Sequence, residues 1–218
     1  MSETDLFSTR VRRKRKNPSQ SYPSSVNDVN DQQGTKAISH KKVWDTCTLC
    51  ACSCPRKVHY KGSLPCDILF IGEAPSVSER SKGVPFVGPT GARLDKWIHE
   101  AQLCSKDFTY AITHMLACFP NQEGYKSKFR PPTDVEISNC FPRLLELLDL
   151  AQPKGIVLIG KLTDKLRKLK EFKDSPYSDL PFRKITHPSW SIREGKGDLD
   201  FHGISQLSSI AQLIREIG

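Results

Sequence analysis

Two short segments, Asp67 to Gly72 (DILFIG) and Gly155 to Gly160 (GIVLIG), carry unbroken runs of Ile, Leu, Val and Phe. A strand with one wet face alternates apolar and polar side chains, so runs of this kind belong to strands covered on both faces, as in parallel sheets flanked by helices. Tyr110 to Leu116 (YAITHML) and Phe182 to Thr186 (FRKIT) read as two further strands. Between them lie helical patterns. Gly91 to Gln102 places Leu94, Trp97, Ile98 and Ala101 on one face, and Ile204 to Ile217 closes the chain in the same manner. Thr133 with Glu136 forms a capping box ahead of a helix through Leu144, Leu145 and Leu148, and Pro142 predicts a kink there or a later start near Asn139. Strands alternating with helices give the expected fold class: α/β, a three-layer α/β/α sandwich around a central parallel four-stranded sheet, with ligands at the carboxyl ends of the strands.

The periodic pattern begins at Trp44. Residues 1–43 hold nine Lys or Arg against four Asp or Glu, a polar NPSQSYPSSVNDVNDQQG stretch and no apolar period, and are expected to be a disordered basic tail ahead of one domain over residues 44–218. The block Arg12, Arg13, Lys14, Arg15, Lys16 has the charge to hold a phosphate backbone or to act as a nuclear address. With a net charge of +9 overall, the remainder is mildly basic too, which favours an anionic partner, nucleic acid first. No apolar run reaches the roughly 18 residues of a membrane span, and the N-terminus has no signal-peptide apolar region. The expectation is a soluble, intracellular protein with no membrane partner, cytoplasmic or nucleoid-associated in a prokaryote or phage host, or nuclear if the basic block is an address.

In such a compartment the eight cysteines point to metal or cluster ligation more than to disulfides. Cys47 and Cys50 form a C-x-x-C that can converge on one centre from a tight turn. Two more ligands are required, and spacing does not choose among Cys52, Cys54, Cys66, Cys104, Cys118 and Cys140. Cys66 and Cys104 stand singly beside apolar segments and read as small buried residues. Zinc and an iron-sulfur cluster are both compatible with this pattern.

Chemistry gathers elsewhere. The segment Ile71 to Gly91 (IGEAPSVSERSKGVPFVGPTG) follows a buried strand, is crowded with Gly and Pro, and places Glu73 at its start. Thr186-His187-Pro188-Ser189 follows the last strand and brings an imidazole to the same sheet edge. A carboxylate and a histidine facing one cleft form an acid, base or electrostatic pair.

On these residues the chain resembles the family 4 uracil-DNA glycosylases, the iron-sulfur branch of the uracil-DNA glycosylase superfamily. The likeness runs from about Trp44 to the C-terminus. CTLC with Arg56 is similar to the family's cysteine pair and following arginine, and GEAPS with GVPFVGPTG to its first active-site motif. ITHMLACFP and RPPTDVEISNC resemble the strand, third cysteine, Arg-Pro-Pro segment and fourth cysteine; PKGIVLIG resembles the next strand and HPS the second active-site motif. The resemblance implies a four-iron, four-sulfur cluster on Cys47, Cys50, Cys118 and Cys140, with zinc as the alternative. It implies excision of uracil from single- or double-stranded DNA by hydrolysis of the N-glycosidic bond, leaving an abasic site for base excision repair. Glu73 would position or activate water and His187 donate to the uracil oxygen. Phe86 would stack on the flipped base, His114 reach its edge and Ser189 touch a flanking phosphate, while Trp190 and Ile192 are wedge candidates for the vacated stack.

Some positions depart from the family pattern. His114 stands where asparagine is usual, Ser76 where glycine is usual, and Arg80 where an acid often follows Glu79; the Cys118 to Cys140 interval, 21 residues, is longer than usual. No histidine lies in that interval, so the chemistry of the covalent-trapping branch is not expected. These departures motivate the alternative of a DNA-binding iron-sulfur protein with altered or lost catalysis. Such a protein would serve a replication or repair assembly through the tail. In either case the chain is expected to act as a monomer.

Overall fold

The computed structural model describes residues 31–50, 56–105, 107–121, 128–195 and 201–218. The basic block Arg12 to Lys16 lies outside them, as do Cys52 and Cys54. Helix α1 (Asp31–Asp45) covers the last part of the segment read as tail. It is fastened to the body: Trp44 Nε1 donates to Glu146 at 2.6 Å and His40 meets the same carboxylate at 3.1 Å. The sequence of α1 shows no apolar stripe, and among its described side chains only His40 is buried.

The sheet contains β1 (Tyr60–Gly62), β2 (Ile68–Gly72), β3 (Tyr110–His114), β4 (Gly155–Ile159) and β5 (Phe182–Ile185) in the order β1-β3-β2-β4-β5. The four expected strands are present and mutually parallel. A fifth, β1, adds antiparallel to β3 at the edge; with only three residues it offers no period to read. Strand β3 stops at His114, short of the Leu116 read from sequence.

Side chains alternate across the central strands and build two cores. Leu69, Ile71, Ile156 and Leu158 pack with Phe141, Leu144 and Leu148 of α4 (Asp134–Ala151) on one face. Ile68, Phe70, Val157 and Ile159 pack with Leu94, Trp97 and Ile98 of α3 (Pro89–Leu103) and with Ile210 and Ile214 of α8 (Phe201–Ile217) on the other. The two faces follow from connectivity. From β2 the chain crosses to β3 on one side and then returns past β2 to β4, so right-handed crossovers place α3 and α4 on opposite faces. The capping box forms as expected, Glu136 N–H donating to Thr133 Oγ1 at 3.2 Å and Thr133 N–H to Glu136 Oε2 at 2.9 Å. Helix α4 therefore starts at Asp134, not near Asn139, and continues through Pro142.

The reversal between β2 and β4 makes their carboxyl ends the topological switch point, where open α/β sheets bind ligands. Glu73 follows β2 there and Gly160 follows β4.

Candidate active site

Glu73 is held at the switch point by the far side of the crevice. Leu162 N–H, in the turn after β4, donates to Glu73 Oε1 at 2.8 Å. Gly160 has φ +96°, and a Cβ there would lie 2.4 Å from that same oxygen, so the carboxylate occupies space that only glycine leaves open. Burial pushes the Glu73 carboxyl above its ordinary range, opposed by the Leu162 N–H and by the His114 and Lys184 side chains.

His187 caps α7 (Pro188–Arg193), which follows β5. Its Nδ1 accepts from Ser189 N–H at 3.3 Å and lies 2.8 Å from Ser189 Oγ. A backbone N–H can only donate, so Nδ1 holds a lone pair and the neutral ring carries its proton on Nε2. Burial, with the nearby His114, pulls the His187 pKa down to about 4. At neutral pH the side chain is therefore an uncharged Nε2–H donor.

Phe86 lies between these groups, with its ring centroid 4.9 Å from that of His114 at 19° and 5.8 Å from that of His187 at 30°. Its backbone adopts φ +49°, uncommon outside glycine. Three neighbours hold that conformation. Glu79 Oε1 accepts the Phe86 N–H, Lys61 Nζ donates to the Phe86 carbonyl at 3.2 Å, and Gly91 leaves room where a Cβ would lie 1.8 Å from that carbonyl oxygen.

Glu73, Phe86, His187, Ser189 and Trp190 all wall one cleft of about 1250 Å³. That exceeds the roughly 300–1,000 Å³ of an ordinary small-molecule pocket and has room for a nucleotide with its neighbours. Lys161, Lys184 and Arg193 line it as well and suit an anionic ligand. Trp190 is 38% exposed on this wall, whereas Ile192, two positions on along the same helix, is half-buried and turned away from the cleft. The Ser189 hydroxyl bonds to His187 and, at 3.3 Å, to Arg193 Nη1. His114 is buried behind Phe86 and does not wall the cleft; its Nε2 lies 2.9 Å from Glu79 Oε1, and its Nδ1 has no partner among the described residues. Burial alone would raise the Glu79 carboxyl, but His114 and Ser76 hold it down to about 2.

A second, smaller cavity is walled by Cys47, Cys50, Cys118 and Cys140. Ala117 N–H points at Cys140 Sγ at 3.4 Å. Two buried cations, Lys57 and Arg143, share these walls, and Arg143 Nε has no hydrogen-bond partner among the described residues. Arg143 Nη2 donates to the His114 carbonyl at 2.6 Å and to that of Met115 at 3.2 Å. Among the described residues no three His, Cys, Asp or Glu side chains gather closely enough to hold a single metal ion. Cys66 is buried, its thiol pushed by burial up to about 12. Cys104, read as buried, is exposed because it caps the end of α3 where the helix runs out into solvent.

Sequence reading passed over Glu79, Arg143, His40 and His59. The S-x-x-E spacing from Ser76 was a signal for Glu79, and Arg143 lies one helical turn after Cys140 on the same face. Buried His59 bonds to Asp45 at 2.8 Å and lies edge-on to His40, with centroids 6.0 Å apart. No motif flags that pair.

The family model described as the uracil DNA glycosylase superfamily matches residues 59–204, more than half of the chain. The chain is similar to the type-4 uracil-DNA glycosylase of Sulfurisphaera tokodaii, 35% identical over 99 residues that cover 45% of this chain and 42% of that protein. It is also similar to that of Archaeoglobus fulgidus, 34% identical over 100 residues covering 46% of each. With the type-4 enzyme of Thermotoga maritima it shares 26% identity over 183 residues, 79% of this chain and 91% of that protein. The chain thus spans less than half the length of the first two relatives and most of the third.

Proposed function

The chain belongs to the uracil DNA glycosylase superfamily, and from that premise we propose that it excises uracil from DNA by hydrolysing the N-glycosidic bond, leaving an abasic site for base excision repair. The observation that carries this reading is one cleft, at the switch point of the sheet, walled by Glu73, Phe86 and His187. The target nucleotide is extruded from the stack, at a cost of a few kcal/mol that a uracil mispair reduces. Lys161, Lys184 and Arg193 hold the phosphates, and Trp190 is the wedge.

As the bond from C1′ to the base nitrogen breaks, its electron pair leaves with uracil, delocalised onto the base's carbonyl oxygens, and positive charge builds on the sugar. The neutral His187 donates its Nε2–H to the departing oxygen. Its low pKa makes it a hydrogen-bond donor to an anion and not a source of a full proton. Glu73 faces the cationic sugar and orients the water whose oxygen bonds to C1′. Its raised pKa makes it the better acceptor of that water's proton.

The cysteine cavity fits a [4Fe–4S] cluster held by Cys47, Cys50, Cys118 and Cys140. Four thiolates around such a cluster carry net negative charge, which explains two buried cations in the wall and an unpartnered guanidinium nitrogen there. Zinc, the alternative, would need its sulfurs within about 4 Å of one another at a Zn–S distance of about 2.3 Å, and the metal content of the purified protein distinguishes the two. When bound, the cluster supplies a cross-link between the segment after α1 and the end of β3 with α4, away from Glu73.

The test is incubation with an oligonucleotide carrying one uracil, then alkali, and a search for strand breakage at that position, repeated over a panel of damaged bases. A second reading, a DNA-binding protein that has lost excision, is favoured by one observation: the His114 ring lies on Phe86, which is only 3% exposed. Tight binding to uracil-containing DNA without any free uracil would establish it.

A further inference from the structure

Glu79 carries more than its helix requires. As the third residue of α2 (Val77–Lys82) it completes a capping box, Ser76 N–H donating to Oε2 at 2.6 Å and Glu79 N–H to Ser76 Oγ at 3.4 Å. That accounts for one carboxylate oxygen. The other, Oε1, accepts from Phe86 N–H and lies 2.9 Å from His114 Nε2. These groups come from the loop before α3 and from the end of β3, and capping α2 calls for neither. All three residues are buried, with Glu79 6% and His114 1% exposed. A buried carboxylate would be unfavourable here without donors, and it has three.

We infer that Glu79 is a positioning residue of the base pocket: through a single carboxylate oxygen it holds Phe86 in its left-handed backbone conformation and orients the His114 ring against the Phe86 face. An ionised carboxylate only accepts, so it places a proton on His114 Nε2 and fixes which way the imidazole faces. The left-handed backbone of Phe86 is unfavourable by itself and persists because its surroundings impose it. Lys61, paired with Asp95 at 3.2 Å, grips the carbonyl end of Phe86 while Glu79 grips the N–H end. An amide in place of the carboxylate cannot reproduce this. With its oxygen toward Phe86 and His114, the NH₂ group confronts the Ser76 N–H; turned round, it confronts the Phe86 N–H and the His114 N–H.

The consequence for rate rests on the uracil-excision reading; the consequence for His114 does not. Full-length wild type and Glu79→Gln are compared in single-turnover uracil release, in binding to abasic-site DNA, and in ¹⁵N–¹H spectra of the imidazoles. Misplacement of Phe86 and His114 lowers the chemical step about 10- to 100-fold and leaves abasic-site binding unchanged. The His114 Nε2–H signal, protected in the wild type, shifts or is lost in the variant. A folded Glu79→Gln protein with wild-type rate, or with an unchanged His114 signal, overturns the inference. Should wild type release no uracil, the proposed function fails and the spectra alone decide the role of Glu79. Should Glu79→Gln not fold, the wild-type spectrum decides: a proton on His114 Nε2 upholds the inference and a bare Nε2 overturns it.

Discussion

Arg143, in the wall of the cysteine cavity, donates to the backbone carbonyl of His114 at 2.6 Å, so one buried guanidinium touches both the cavity and the strand end behind the cleft. Arg143→Met keeps the volume and removes the charge. The expected result is protein that loses iron on dialysis and has reduced excision, read by visible absorbance and iron content. Cys118→Ala loses iron altogether. A Cys118→Ala protein that keeps wild-type iron content and colour would remove the cluster assignment.

Glu73→Gln and His187→Ala each lower the single-turnover rate by about 100 to 1,000-fold, the usual effect of losing one transition-state contact, and leave abasic-site binding nearly intact. In the wild type the acid limb of the rate profile lies above the ordinary carboxylate value, because burial raises Glu73. Persistence of that limb in Glu73→Gln would assign it to another group.

Gly160→Ala sets a methyl 2.4 Å from Glu73 Oε1 at a φ of +96°. The strain is of order 1–3 kcal/mol. Melting temperature falls, and excision falls further than stability accounts for, since the displaced group is Glu73. Equal losses in Gly160→Ala and in a core variant matched for stability would mean that Glu73 had not moved.

The His187 contribution to stability decreases as pH falls from about 6.5 to 4, against an opposite contribution from the raised Glu73. His187 titrates near 4 in the fold and near 6.5 unfolded, so between those values the unfolded chain binds the extra proton and acid favours it. His40 and His59, also lowered by burial, act in the same direction. Glu79 adds stability above 4.5 that is lost as pH falls toward 2. Denaturation midpoints measured across this range should show His187→Ala with a slope shallower by up to one proton, about 1.4 kcal/mol per pH unit. Identical slopes would place the proton uptake elsewhere.

Deleting residues 1–30 removes the Arg12 to Lys16 block without disturbing α1, and should flatten the salt dependence of DNA binding, since each phosphate contact releases counterions whatever the base sequence. Deleting 1–43 also removes His40 and most of α1, so it should lower the melting temperature as well. Unchanged salt slopes would give the basic block a role other than phosphate binding.

The central strands could be read from the chain because residues buried on both faces must be apolar at every position, and the glycines that end them are fixed by what approaches them. Glu73 and His187 were visible because each closely follows a strand end, whereas Phe86, in the loop between α2 and α3, was singled out only through the resemblance to the glycosylase motif. Features made by contact were not visible. β1 is three residues at the sheet edge paired to β3, α1 carries no apolar stripe, and Glu79 resembles an ordinary helix cap until its second oxygen is followed. Trp190 and Ile192 share a short helix, and only its orientation on the sheet separates the one that walls the cleft from the one that does not.

The cysteine cavity also sets a timetable. Cys47 and Cys50 leave the ribosome first, and Cys140 follows ninety residues behind Cys50. At about 5–20 residues per second, the first thiol pair waits some 5–18 s for its last companion. During that interval the pair is a bare C-x-x-C, open to oxidation or to any thiol-seeking ion. With the iron-sulfur cluster proposed above as the occupant, cluster assembly would compete with these reactions during that interval.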